Sequence, residues 1–83
     1  MYYVYVLRNE SNEFYTGYTA NLKKRLEEHN SGINQSTRGH QWELVYYEAY
    51  IHRQYAYKRE QALKKNRRMS KFLMERIKES LSY

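Results

Sequence analysis

The chain has 83 residues, enough for one domain over 1–83, and its fifteen Lys+Arg against nine Asp+Glu leave a net charge of +6. A domain this small buries only about 60% of the surface that its unfolded chain exposes, so the core must be compact. With no cysteine, disulfides and thiolate metal sites are excluded, and no run approaches the roughly 20 apolar residues of a membrane helix.

The first residues, MYYVYVLRN, have no basic lead-in and no small-residue cleavage site, so they read as a strand rather than a signal peptide. The cytoplasm is therefore the expected compartment. Tyr2 to Leu7 is rich in β-branched and aromatic residues and predicts a buried strand. The polar run Arg8 to Glu13 supplies a turn, and Phe14 to Thr19 the second strand, in which Gly17 marks a bulge or a close approach. Asn21 suits the N-cap of a helix running to about Ser31, and Gly32 suits its stop. Residues 33–41 are polar and irregular. Trp42 to Tyr50 predicts a third strand and Arg53 to Asn66 a second helix. A third helix is expected to start at Ser70, with Met69, Phe72, Leu73, Ile77 and Leu81 on one stripe and Met69 stapled to Met74. The order β-β-α-β-α-α predicts an α/β domain, a small sheet covered by helices.

The positive charge is concentrated. Between residues 58 and 71, Lys58, Arg59, Lys64, Lys65, Arg67, Arg68 and Lys71 face a single acid, Glu60. A solvated helix usually mixes its signs, so this run points to an anionic partner, nucleic acid first. Eleven tyrosines are a second departure from ordinary composition. They suit half-buried strands, and also surfaces that meet phosphates or stacked bases.

Helical periodicity sharpens the picture. At about 100° per residue, Leu22, Arg25, Leu26 and His29 share one face of the first helix. Arg25 alone could lay its stem on the core edge with its head in water, but Arg25 and His29 on one stripe suggest a lined cleft. On the second helix Ala56, Glu60 and Leu63 lie within about 60° of one another. A carboxylate on an inward stripe needs a cation. That cation is either a neighbouring basic side chain or Mg²⁺, which takes as few as one or two protein carboxylates.

Several of these residues form a known pattern. Tyr3-Val4-Tyr5 followed by Tyr15-Thr16-Gly17 resembles the paired half-motifs of the GIY-YIG endonuclease superfamily. Arg25, eight residues beyond Gly17, stands where that family keeps its arginine. His29-Asn30-x-Gly32, Ser36-Thr37-Arg38, the strand from Trp42 and Ala56-x-x-Arg59-Glu60 resemble the segments that follow, as in the small stand-alone bacterial members. Two features depart from the pattern: Tyr18 follows the glycine where repair nucleases carry lysine, and the asparagine that closes some members' sites has no counterpart.

The resemblance implies a three-stranded antiparallel sheet flanked by three helices, and an endonuclease acting on DNA or structured nucleic acid with one Mg²⁺ or Mn²⁺ ion. By the same resemblance, Tyr5 is the proton acceptor, made acidic by nearby cations, and Tyr15 orients phosphate or water. Arg25 contacts the scissile phosphate, His29 relays protons and Glu60 holds the metal. Gly17 lets backbone approach the substrate. Thr37, Arg38, Lys58, Lys64, Lys65, Arg67, Arg68 and Lys71 are candidate phosphate contacts. DNA is favoured over RNA, no membrane is involved, and a protein partner is expected to supply specificity. Two other readings remain open: a non-catalytic nucleic-acid-binding module, and a small adaptor that docks proteins through its tyrosines.

Overall fold

A computed structural model describes residues 1–82. It contains strands β1 (Tyr2–Asn9), β2 (Phe14–Thr19) and β3 (Trp42–Tyr50) and helices α1 (Leu22–Asn30), α2 (Arg53–Lys65) and α3 (Arg67–Leu81). The predicted order of elements is the observed one. The strands form one antiparallel sheet in the order β2-β1-β3.

The long, apolar β1 takes the centre because both its faces can be buried. On one face Val4 and Val6 pack with Ala56 and Leu63 of α2 and Leu73 and Ile77 of α3. On the other, Tyr5, Leu7 and Trp42 pack with Tyr15 and with Leu22 and Leu26 of α1. The alternation of β1 thus separates an aliphatic core from an aromatic, more polar one.

The hairpin turn is shorter than expected, since Arg8 and Asn9 continue the strand. The buried Asn9 side chain accepts from the backbone N–H groups of Ser11 and Glu13. It thereby supports Asn12 in the left-handed region at φ 61°. Gly17 makes no bulge: β1 and β2 pair without interruption from Tyr3↔Thr19 to Arg8↔Phe14. The irregularity lies between β1 and β3, where Val6 pairs with Tyr46 and Leu7 with Leu44, leaving Val45 over. Val45 and Tyr46 consequently both reach the aliphatic core.

Asn21 caps α1 through the Lys24 N–H, as its chemistry predicts. Gly32 at φ 82° ends the helix, with N–H bonds from Gly32 to His29 O and from Ile33 to Glu28 O. The third helix differs from expectation. Asn66, not Ser70, is its cap: the side chain accepts from Met69 N–H while the backbone N–H closes α2 on Ala62 O. One residue therefore serves two helices, and no room is left for a longer connection. Phe72 is 61% exposed and lies outside the stripe, while Leu73 and Ile77 are buried.

Candidate active site

Tyr5, on the central strand, projects into the aromatic core, where Gly17 lies opposite it on β2. A Cβ added to Gly17 would lie 2.6 Å from Tyr5 Cζ and closer still to the phenol oxygen. The glycine is needed there for the volume it leaves empty, so its predicted close approach is to a tyrosine ring of this chain.

The phenol of Tyr5 lies 2.9 Å from Nε2 of His29. On the far side of the ring, His29 Nδ1 lies 2.7 Å from Thr37 Oγ1. His29 and Thr37 are both fully buried. Thr37 Oγ1 is also 3.4 Å from the Asn34 carbonyl, which can take the hydroxyl proton. The hydroxyl can then accept from Nδ1–H, leaving Nε2 bare to accept from Tyr5 O–H. Tyr15 stacks edge-on against His29, with ring centres 5.0 Å apart, and against Trp42 at 6.2 Å.

Two devices hold α1 over this cluster. Asn30 accepts the Trp42 N–H and donates to the Trp42 carbonyl, clamping the helix end to β3. The Trp42 indole N–H donates to Thr37 O, so the loop carrying Thr37 is tied to the same residue.

The electrostatics follow from burial. Desolvation drives the Tyr5 phenol well above its ordinary value; Tyr15 adds to this, Arg25 opposes it, and Glu60 and Glu28 raise it further. The expected acidification of Tyr5 by cations is therefore overturned, because burial outweighs the guanidinium. His29 moves the other way: burial first, then the Arg25 charge, hold it below its ordinary value, with Glu28 in opposition.

Arg25 is half-buried at the cleft rim, its head 3.6 Å from Glu28, and its Nε is buried without a hydrogen-bond partner. Glu60 points inward from α2 and is buried. Gln61 Nε2 donates to one of its oxygens at 2.7 Å, and the Lys64 ammonium lies 3.0 Å from the other. A neighbouring lysine is therefore in contact with this carboxylate. Glu60 suits a single hard cation, being a buried carboxylate whose oxygens keep lone pairs to spare. An ion there would draw its other ligands from water and phosphate.

Tyr5, Tyr15, Arg25, His29 and Glu60 thus lie in one neighbourhood: Tyr5 bonds to His29, Tyr15 stacks on His29, and the charges of Arg25 and Glu60 act on the Tyr5 phenol. The proposed phosphate contacts divide. Thr37 is turned inward onto His29, and its hydroxyl is committed there, which removes it from any direct phosphate contact. Lys64 is engaged with Glu60. Arg38 is exposed and donates to Gly32 O, and Lys58 lies over the Tyr55 ring. Lys65, Arg67, Arg68 and Lys71 are exposed on α2 and α3.

One part-buried constellation escaped the sequence reading. Glu48 accepts from Tyr46, Tyr50 and, through both oxygens, from Arg59 of α2. Its signal was available: Tyr46, Glu48 and Tyr50 alternate on one face of a strand, where a lone inward acid needs partners.

The chain matches the model of the GIY-YIG catalytic domain over residues 1–73. It is 41% identical over 73 residues to a UPF0213 protein of Clostridium perfringens, covering 86% of this chain and 78% of that one. A UPF0213 protein of Oceanobacillus iheyensis is 35% identical over 80 residues, with 94% and 93% covered. Its fold is similar to the solution NMR structure of a UPF0213 protein from Bacillus halodurans, at 30% identity, TM-score 0.53, and 89% and 84% coverage.

Proposed function

The chain belongs to the GIY-YIG catalytic-domain family, and from that premise we propose that it is a divalent-metal-dependent endonuclease acting on nucleic acid, DNA before RNA. The observation that carries this reading is the buried chain of contacts from Tyr5 through His29 to Thr37. A phenol pushed upward by burial is a poor base alone. Bonded to a neutral imidazole, it has an outlet for its proton. Tyr5 takes a proton from the attacking water as it passes its own to His29 Nε2, while Thr37 steadies the resulting imidazolium at Nδ1.

Arg25 contacts the non-bridging phosphate oxygens, where a planar fork fits. Tyr15 orients the phosphate or the water. Glu60 is the residue that would hold one Mg²⁺ or Mn²⁺, which when bound supplies Lewis-acid stabilisation of the phosphate charge. Gly17 keeps the space that the Tyr5 ring needs. Arg38, Lys58, Lys65, Arg67, Arg68 and Lys71 form a sequence-independent phosphate track. No helix among the described residues is long and apolar enough to cross a membrane. The enzyme works in the cytoplasm, with a protein partner adding specificity.

A non-catalytic nucleic-acid-binding module is the second reading. It is favoured by the engagement of both Glu60 oxygens and by Tyr18, whose ring packs on Tyr57.

The test incubates labelled single-stranded, duplex and branched DNA and structured RNA with the protein and Mg²⁺ or Mn²⁺, beside Tyr5→Phe and Glu60→Ala. Cleavage lost in both variants is the expected result. Substrates that shift on a gel yet are never cut overturn the endonuclease and leave the binding module.

A further inference from the structure

Glu60 is the buried acid of α2, its side chain only 7% exposed, and a charge so placed must be matched. Lys64, one helical turn along, is the only cation that the described residues place within ion-pair distance of it. Arg25, the other cation of the cleft, pairs instead with Glu28. The Lys64 ammonium is held from two sides: it sits 3.0 Å from Glu60 Oε2 and 5.6 Å from the centre of the Tyr15 ring.

We propose that Lys64 is a resident counter-ion that occupies Glu60 in the metal-free protein and must be displaced when a divalent ion binds. The inference rests on the reading of Glu60 as the metal-holding residue. An ammonium and a divalent cation compete for one carboxylate, and holding both there sets like charges against each other at short range. Glu60 cannot move aside, because it is buried. Lys64 can, because its side chain is 46% exposed and ends a flexible four-carbon stem.

The Tyr15 ring adds a cation–π contact to the same ammonium position, so displacement gives up that contact along with the ion pair. Metal binding is thereby coupled to the release of a lysine beside the site where phosphate is expected. This reconciles the two roles of Lys64: internal counter-ion in the free protein and phosphate contact in the loaded one. The coupling is reciprocal, so whatever draws Lys64 away from Glu60 also tightens metal binding.

The test uses the full chain without nucleic acid. Mn²⁺ is titrated into wild type, Lys64→Met, Lys64→Gln and Glu60→Gln, with free Mn²⁺ read by electron paramagnetic resonance. Removing a unit positive charge at this distance is expected to tighten Mn²⁺ binding roughly tenfold in both lysine variants. In wild type, Mg²⁺ is expected to shift the Lys64 Cε and Hε resonances. Binding that is unchanged or weaker in both lysine variants, while Glu60→Gln abolishes it, overturns the counter-ion role and leaves Glu60 as the ligand. Mn²⁺ binding that survives Glu60→Gln, or is absent from every form, overturns both assignments.

Discussion

The phenol of Tyr5 and Nε2 of His29 meet at 2.9 Å inside the aromatic core, though 24 residues separate them in sequence. Burial raises the proton affinity of the first and lowers that of the second. Both shifts keep the pair neutral at rest, an O–H facing a bare imidazole nitrogen. In the proposed mechanism the proton moves only when the reaction makes the transfer favourable.

Tyr5→Phe tests the pair directly. The ring still fills its place above Gly17, so the fold persists, with roughly 1 kcal/mol lost from the missing hydrogen bond. Cleavage of labelled DNA with Mg²⁺ is expected to fall by about 100-fold or more, the usual worth of a positioned proton acceptor. A thermal melt beside the cleavage assay separates the two effects.

The acid side of the pH profile reports His29. Its proton affinity lies below the ordinary value of 6.5, so the imidazole keeps its neutral form to lower pH than a free histidine does. The acid limb of the cleavage profile should therefore fall at a lower pH than a free imidazole would set. Stability moves in the same direction. The unfolded chain binds a proton near its ordinary value before the folded chain does, so stability falls as the pH drops from that value toward the lowered one. Denaturant melts across this range, compared with His29→Gln, isolate the contribution.

Gly17→Ala is expected to be severe for a single methyl group. The new Cβ would sit 2.6 Å from Tyr5 Cζ, so the Tyr5 ring, only 3% exposed, would have to shift within the core. Overpacking of this kind costs about 1–3 kcal/mol. It would also push the phenol off His29. A lowered melting temperature together with lost cleavage is the expected result, and near-normal values of both would contradict the geometry.

Glu48 and Arg59 make the strongest polar tie between α2 and the sheet. Burial pushes the Glu48 carboxyl up, yet the bonds from Arg59, Tyr46 and Tyr50 hold it below its ordinary value. The same carboxylate, after burial, helps drive the Tyr50 phenol up to about 12. Arg59→Met leaves a part-buried carboxylate with two neutral donors, a loss of about 2 kcal/mol. The tie is present above the ordinary carboxylate value and fades as the pH falls through the lowered folded value. Acid melts of wild type and Arg59→Met should therefore converge at low pH.

Nucleic-acid affinity should fall steeply with salt, through the phosphate contacts of α2 and α3. Arg68→Ser combined with Lys71→Ser is expected to flatten the slope of log affinity against log salt by about 1 to 2. A slope that does not change would remove these residues from the track.

Much of the fold was legible from local chemistry. The strand residues announced themselves by composition, the first helix by Asn21 and Gly32, and the order of elements by punctuation between them. Gly17 was recognisable as special, but local pattern could not choose between a bulge and a crowded neighbour. The sequence points to Ser70 as the cap of the third helix and places Asn66 at the end of the second. The structure takes Asn66 because the same residue already closes α2. Phe72 falls off the inward stripe because, at about 100° per residue, it lies roughly 140° round the helix from the buried Ile77.

The sequence by itself determined on which elements the candidate residues lie: tyrosines on a hairpin, an arginine and a histidine on one helix stripe, a glutamate turned inward on the next. Those facts follow from period and residue type, which neighbours in sequence suffice to set. Only the tertiary structure decided how the polar groups are paired: His29 between Tyr5 and Thr37, Glu60 with Lys64, Glu48 with Arg59. A buried polar group takes whichever partner packing brings within hydrogen-bond reach, and that choice is made by chain segments distant in sequence, or, as at Lys64, by which side of a helix the core leaves open.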